Sequence, residues 1–230
     1  HLLTFGKRLT TYVNYWKLFH MLLDDNVDLY ILQLLAYWYS RQQACVRWHN
    51  CVSDFFTLGN GTRQGGVLSP WLFARYIRGV LVEVVNSGVG CNIGNLVVDI
   101  LAYADDMILL APSWRSLQFL LDIVSVKSIL IDMHINVSKT VCMVFNPYNR
   151  RKIICAAFPQ FTLAGCKLQF VEHFRYLGHI IDNCLCDDKD IQREIKALFT
   201  RSNILCRRFK CCSVRTSEIE VISFFLYLFV

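Results

Sequence analysis

Hydrophobic residues recur along the chain with two different periods, one typical of helices and one of strands. Residues 15–43 predict two helices separated near residues 24–26. Residues 115–133 predict another helix, because apolar side chains recur on one face at helical spacing: Leu117, Leu120, Leu121 and Val124. Ser69 and Pro70 predict the start of a further helix, with serine as the N-cap and proline at the first helical position.

Short strand-like segments fill most of the rest, at residues 44–58, 141–145, 161–163, 167–171 and 174–181. Residues 97–112 contain two apolar runs around a short polar tip, which predicts a hairpin. From Asp187 onward the pattern is helical, with an apolar stripe at Ile191, Ile195, Leu198, Leu205 and Phe209. The chain is therefore predicted to be α+β up to about residue 185 and all-helical afterwards.

Composition adds limits but no function. Hydrophobic residues make up 54% of the 230 residues and charged residues 18%, which excludes a disordered chain. The net charge of +6 is compatible with an acidic partner such as nucleic acid, but an ordinary basic protein fits it equally well.

The eleven cysteines and the two ends of the chain indicate the cellular compartment of the protein. The first residues do not have the pattern of a secretion signal, so we expect an intracellular protein, nuclear or cytoplasmic and not secreted, with reduced, buried thiols. The spacings Cys184-x-Cys186 and Cys211-Cys212 favour packing over zinc binding. The apolar run at residues 221–230 is shorter than the ~20 residues of a membrane span, so no membrane association is expected. Since the first residue is His and not Met, we expect the N-terminus to be a cut.

The strongest chemical signal is Tyr103-Ala104-Asp105-Asp106, at the tip of the predicted hairpin. Paired carboxylates are hard oxygen ligands that suit Mg²⁺. Two such ions, about 3.5–4 Å apart, can activate a hydroxyl and stabilise a leaving pyrophosphate. Alternatively, two aspartates simply make a good turn.

Several segments, in the expected order, resemble the reverse transcriptases of LINE-type (non-LTR) retrotransposons. The hairpin residues 103–106 resemble motif C, and Gly61-Thr62-Arg63-Gln64-Gly65-Gly66 with its continuation to residue 73 resembles motif B. Residues 136–140 resemble motif D and residues 174–178 motif E. Residues 13–19 resemble the segment after motif A, and residues 187–191 the entry to the thumb. The resemblance covers roughly residues 13 to 212.

This resemblance implies a fold and a domain order. We expect a polymerase palm, which is a ferredoxin-like antiparallel sheet backed by helices, followed by a helical thumb segment. The implied divisions are a degenerate motif A region at residues 1–12, the palm at 13–185 and a truncated thumb at 186–230. The implied activity is RNA-directed DNA synthesis, a Mg²⁺-dependent nucleotidyl transfer to a primer 3′ hydroxyl.

The resemblance also implies roles for individual residues. Asp105 and Asp106 would be catalytic and bind metal, and Lys139 would protonate the departing pyrophosphate. Template and nucleotide would be positioned by Arg63, Gln64 and Gly65, and the primer by Tyr176, Leu177 and Gly178. The nucleic-acid backbone would contact Arg193, Lys196 and Arg201. The implied partners are an RNA template and a DNA primer, together with fingers and endonuclease regions of a parent protein that this chain lacks.

The chain departs from the family at motif A. The metal-bridging aspartate falls at Phe5, the aromatic that excludes ribonucleotides at Thr10, and the second aspartate at Thr11. Asp24 and Asp25 come about twenty residues too late to replace them. We therefore expect an incomplete two-ion site and an inactive fragment. The alternatives are a non-enzymatic relic that at most binds nucleic acid, or a decayed gene copy joined to wrong flanking sequence at residues 1–12 and 213–230.

Overall fold

The computed structural model describes residues 13–61, 65–146 and 158–209 in full and the backbone of residues 2–6 and 9–10. The chain divides into two compact units, residues 1–172 and residues 173–230. The first is a mixed helix-and-strand unit, which confirms the α+β prediction at that level.

Five α-helices lie within the described residues: α1 (Tyr15–Asp24), α2 (Leu29–Ser40), α3 (Ser69–Asn86), α4 (Trp114–Leu130) and α5 (Asp188–Arg208). The predicted break between the first two helices is confirmed, and Asn14 and Asp28 cap their N-termini with side-chain oxygens. A single 3-10 turn covers Val137–Lys139. None of the described helices combines the length and apolar character needed to cross a membrane.

The prediction that Ser69 caps α3 is wrong. Ser69 is already helical, Leu68 holds the cap position without a side-chain hydrogen bond, and Pro70 is the second helical residue. The physical reason is that the turn begins earlier, since the Ser69 amide donates to the Gly66 carbonyl at 3.1 Å. Proline is still tolerated there, because amides in the first turn have no intrahelical partner.

The strands are short and mostly paired locally. In chain order they are β1 (Leu2–Gly6), β2 (Leu9–Thr10), β3 (Gln43–Ala44), β4 (Arg47–Trp48), β5 (Cys51–Val52), β6 (Phe56–Thr57), β7 (Cys91–Ile93), β8 (Leu96–Val98), β9 (Ile100–Tyr103), β10 (Asp106–Ala111), β11 (His134–Ile135), β12 (Val141–Val144), β13 (Thr162–Leu163), β14 (Cys166–Lys167), β15 (Gln169–Phe170), β16 (His173–Tyr176) and β17 (His179–Asp182).

One larger sheet forms the centre of the first unit. Its five strands are ordered β15-β12-β1-β10-β9, and every neighbouring pair is antiparallel except β12 with β15. Helices α3 and α4 pack on this sheet and contribute the buried apolar face that was predicted for α4. The sheet thus carries the predicted hairpin, β9–β10, at one edge.

The expectation that the cysteines are buried holds for few of the described ones. Cys91 and Cys142 are buried on strands of the first unit, whereas Cys45, Cys51, Cys166 and Cys206 are exposed. The exposed ones lie on or next to short strand pairs or on α5. Cys211 and Cys212 lie outside the described residues.

Candidate functional site

The hairpin β9–β10 places two neighbouring carboxylates at a turn. Tyr103 pairs with Asp106, so Ala104 and Asp105 form the two-residue connection. Ala104 adopts φ 51, a left-handed conformation that costs an L-residue about 1–2 kcal/mol. Asp105 and Asp106 are both partly exposed, so ions and phosphates in solvent can reach the turn.

The strand beside this hairpin is the one that the sequence analysis assigned to motif A. Backbone pairing brings Phe5 opposite Ile108 and Gly6 opposite Met107 on β10. The predicted motif A strand is thus the neighbour of the strand that bears Asp106. No residue of β1 is acidic. Thr10 belongs to β2, and Thr11 lies outside the described residues.

A groove of about 1030 Å³ joins the hairpin to the glycine-rich segment. One wall contains Ala102, Tyr103, Ala104 and Asp105. The other contains Gly65, Gly66 and Val67 together with the first turns of α3, including Ser69, Pro70 and Phe73. Segments about forty residues apart in sequence therefore line one cleft. Gly65 itself has φ 77, which explains glycine at that position.

Hydrogen bonds fix the glycine-rich segment just before residues 62–64. The Gly61 amide donates to the Val13 carbonyl at 3.2 Å, and the Tyr15 hydroxyl donates to the Gly61 carbonyl at 2.8 Å. The predicted template-positioning residues Arg63 and Gln64 lie outside the described residues, whereas Gly65 lies in the groove wall.

Lys139 lies apart from this groove lining. It ends the 3-10 turn before β12, is exposed, and forms no ion pair with another described residue. The structure therefore brings Asp105 and Gly65 together without bringing Lys139 to them.

Comparison with known proteins identifies the family of this chain. Residues 16–181 match the family described as reverse transcriptase (RNA-dependent DNA polymerase), which is more than half of the chain. The chain belongs to the reverse transcriptase family. A relative in Drosophila melanogaster, the "Retrovirus-related Pol polyprotein from type-2 retrotransposable element R2DM", is 26% identical over 129 residues. That match covers 55% of this chain and 12% of the relative, so the chain spans a small part of that protein's length.

The two matches confirm the resemblance to a reverse transcriptase domain of a non-LTR element that the motifs indicated. The matched range begins at residue 16, after β1 and β2. The family assignment therefore rests on residues 16–181, which include the groove lining.

A polar cluster around the buried Tyr76 side chain was not predicted. Tyr76 of α3 is fully buried, and its hydroxyl donates to the Ile131 carbonyl and accepts from the Asn14 amide at 3.2 Å. Asn14 and Lys17 donate to the Asp132 carboxylate at 3.1 and 2.7 Å. The cluster therefore ties the start of α1 to the end of α4.

These contacts shift the pKa values of two residues in the cluster, Tyr76 and Asp132. Burial raises the pKa of Tyr76, which keeps its hydroxyl protonated as a donor. The hydrogen bond from Lys17 lowers the pKa of Asp132. The sequence carried one signal of the cluster, because an asparagine directly before an apolar helix is a typical N-cap.

Two further aspartates, Asp24 and Asp25, lie at the end of α1. Asp25 at the end of α1 forms ion pairs with Arg75 and with Arg78, the latter at 3.5 Å, and so joins α1 to α3. Asp24, the last residue of α1, belongs to the same helix end. Neither residue belongs to the groove lining.

The second unit contains the predicted primer-positioning residues. Tyr176 pairs with His179 across a turn made by Leu177 and Gly178, which have φ 46 and φ 93. Positive φ at both central residues is the pattern of a type I′ hairpin turn. Tyr176 is half-buried and Leu177 is exposed.

Arg193 is engaged within this unit. The Asp190 carboxylate accepts hydrogen bonds from the Ile180 amide at 2.8 Å, from His179 Nδ1 at 3.0 Å and from Arg193 Nε at 2.7 Å. These donors, that of Arg193 first, hold the pKa of Asp190 far below its usual value. Arg193 also pairs with Glu194 at 2.6 Å.

The contacts of Asp190 therefore join the hairpin β16–β17 to α5. Arg193 bonds to carboxylates of α5 itself. Lys196 and Arg201, the other two residues predicted to contact the backbone, are exposed on the helix and form no ion pair with described residues.

Members of this family generally use divalent ions, and the oxygen atoms of Asp105 and Asp106 are the candidate ligands for such an ion. Asp105 and Asp106 offer hard oxygens on adjacent, partly exposed residues. Within the described parts of the chain, no three His, Cys, Asp or Glu side chains are grouped closely enough to hold a metal ion. Two carboxylates fit an ion that completes its shell with water and phosphate oxygens, as Mg²⁺ does.

Proposed function

We propose that this chain is the palm and the start of the thumb of an RNA-directed DNA polymerase from a retrotransposable element, and that it is inactive as it stands. The observation that supports the polymerase assignment best is the groove shared by the Asp105 turn and the Gly65–Gly66 segment. A polymerase needs carboxylates and a template-positioning loop on opposite sides of one cleft, because both act on the same incoming nucleotide.

In this proposal Asp105 and Asp106 hold Mg²⁺ through their carboxylate oxygens. When bound there, the ion makes the primer 3′ hydroxyl a better nucleophile and neutralises charge on the phosphates. Gln64 offers both a donor and an acceptor to the edge of a base pair, and Gly65 allows the backbone to approach it closely. Lys139 remains the proposed proton donor to pyrophosphate on the resemblance alone.

The inactivity follows from the missing motif A carboxylate. In the proposed alignment Phe5 occupies that position, on the strand that pairs with the Asp106 strand. A carboxylate shared by two ions orients both of them, and metal-ion stabilisation of a transition state is worth several kcal/mol. Losing roughly 4–6 kcal/mol would slow the chemical step about 10³–10⁴-fold.

Nucleic-acid binding does not require that carboxylate. Lys196 and Arg201 are exposed cations on α5, and the Leu177–Gly178 turn belongs to the same unit. We propose that these cations contact the backbone of an RNA–DNA duplex, whereas Arg193 pairs with Asp190, the residue that bonds to the hairpin. Binding through phosphates predicts an affinity that falls steeply as salt is raised.

Primer extension separates the two candidate functions. Oligo(dT) annealed to poly(rA) is incubated with the chain, Mg²⁺ and dTTP, and duplex binding is measured in parallel by gel shift. We expect salt-sensitive binding without incorporation. Asp105→Asn is the test variant, and Asp24→Asn, at the end of α1, is the matched control.

Each outcome selects one interpretation. Incorporation that Asp105→Asn abolishes and Asp24→Asn leaves intact would refute the inactivity and establish a working polymerase. Binding without incorporation supports the inactive relic. If neither binding nor incorporation occurs, the chain is a decayed copy without this function, and the proposal fails.

A further inference from the structure

A two-stranded ribbon projects between α2 and the glycine-rich segment, and we name it the β-arm (residues 43–57). β3 pairs with β6 at its base and β4 with β5 near its tip. Between them, the Ser53 amide donates to the Val46 carbonyl at 2.9 Å and the Val46 amide donates to Ser53 Oγ at 2.9 Å. Every residue from 45 to 57 is exposed.

The exposure of the β-arm indicates a partner. A lone two-stranded ribbon is at best marginally stable in water, because neither face packs on a core. Here the exposed side chains include Trp48 at 74% and Phe55 at 70% of their full accessible area. Such a concentration of aromatic surface is typical of a binding site.

Arg47 lies among the aromatic residues of the β-arm and offers a phosphate contact beside them. Residues 29–61 contain two arginines, Arg41 and Arg47, and one acidic residue, Asp54. Arg47 precedes Trp48 directly, and the Trp48 and His49 rings lie 5.5 Å apart at 59°. Aromatic faces interleaved with cations suit single-stranded nucleic acid, whose unpaired bases stack on rings while its phosphates meet the cations.

The position of the β-arm supports the same ligand. Its last strand ends at Thr57, and the segment that follows is anchored through Gly61 and forms the groove wall at Gly65. A nucleic-acid strand lying along the arm would therefore be held by the chain segment that leads directly into the groove.

We propose that the β-arm binds single-stranded nucleic acid, with bases stacked on Trp48 and Phe55 and phosphates near Arg47. The inference rests on the proposed function in one respect, namely that nucleic acid is the ligand of this chain. It adds a binding surface for the unpaired part of the template, separate from the duplex contacts on α5.

The test compares two equally exposed tryptophans in the full chain. A labelled single-stranded RNA of about 12 nucleotides, within the usual site size of such surfaces, is titrated by fluorescence anisotropy. We expect Trp48→Ala to weaken its binding about ten-fold, the loss typical of one stacked base. Trp16→Ala is the matched control, since Trp16 is 72% exposed on α1, and we expect it to leave the affinity unchanged.

Further variants guard against misfolding. Trp48→Phe keeps a stacking ring and is expected to retain most of the affinity. Arg47→Ala is expected to reduce the slope of log affinity against log salt by about one. Blunt RNA–DNA duplex is titrated against each variant, and we expect Trp48→Ala to bind it like the unmodified chain, because duplex bases cannot stack on the arm.

Contrary outcomes are distinguishable. If Trp48→Ala binds single-stranded RNA as tightly as the unmodified chain while duplex binding persists, the β-arm proposal fails and the proposed function stands. If Trp48→Ala abolishes self-association in sedimentation without changing RNA affinity, the arm is a protein interface and the proposal also fails. If the unmodified chain binds no nucleic acid at all, both fail.

Discussion

The buried hydroxyl of Tyr76 offers the sharpest test of how the first unit is held together. Tyr76→Phe keeps the ring and removes one oxygen, which accepts from the Asn14 amide and donates to the Ile131 carbonyl. A hydrogen bond contributes about 1 kcal/mol net, and both lost partners are backbone groups at helix ends. We therefore expect the free energy of unfolding to fall by about 2 kcal/mol. For a chain of this size that lowers Tm by about 4–8 °C.

Tyr39→Phe is the matched control, because Tyr39 is also a buried tyrosine, but its hydroxyl has no hydrogen-bond partner among the described residues. Urea denaturation followed by circular dichroism gives both free energies, provided that the slopes agree between variants. Surface substitutions usually change the free energy of unfolding by no more than about 0.5 kcal/mol. If the free energies of the Tyr76 and Tyr39 variants differ by less than this, the cluster does not hold the helices together.

Three further changes test other parts of the structure. Gly90→Ala would place a Cβ 2.6 Å from the Val98 carbonyl oxygen, so we expect it to lower the free energy of unfolding by about 1–3 kcal/mol. Gly79 lies in open space within α3, so we expect Gly79→Ala to raise the free energy of unfolding by about 0.5–1 kcal/mol. Thermal unfolding of both variants checks the two expectations. Leu177→Asn suits the left-handed turn position and should raise the protection of β16–β17 amides from hydrogen exchange; unchanged or lower protection would contradict the type I′ assignment. The hydrogen bond from Lys189 lowers the pKa of Asp182, so its stabilisation is present above the unfolded pKa, about 4, and is lost as the pH falls through the lower folded pKa. Asp182→Asn removes this contribution at every pH, so α5 amide signals should be less protected than in the unmodified chain near pH 7, with a shallower acid dependence and a difference that disappears at low pH; an unchanged profile would refute this.

Local patterns were sufficient for part of this fold. The hairpin that bears Asp105 and the helices α1, α2 and α4 follow from apolar spacing and turn residues within a few positions of each other. The groove could also be anticipated, because the segments that resemble motif B and motif C act together in reverse transcriptases. Their meeting at Gly65 and Asp105 depends on that family knowledge and not on spacing alone.

Long-range pairing could not be read from the sequence. β1 lies between β10 and β12, more than one hundred residues away, and no local pattern determines that order. The Tyr76 hydroxyl likewise meets groups 55 and 62 positions away. The β-arm was expected only as strand-like sequence, because alternation does not reveal that both faces remain exposed.

Arg193 shows the limit of assigning charge by composition. A basic residue on a helix was predicted to contact the nucleic-acid backbone, and that role stays a prediction. In the structure its guanidinium bonds to Asp190 and Glu194. A cation that already has two carboxylate partners adds little attraction for phosphate, so Lys196 and Arg201 are the better residues to test.

Manganese titration followed by NMR tests the central claim, which is that the Asp105 turn binds a divalent ion in the groove that it shares with the glycine-rich segment. Mn²⁺ is a paramagnetic substitute for Mg²⁺ and broadens amide signals near it. We predict joint broadening at residues 103–107 and at Gly65 and Gly66, abolished in the double variant Asp105→Asn, Asp106→Asn. Broadening confined to other acidic segments, or unchanged in that variant, would contradict the account.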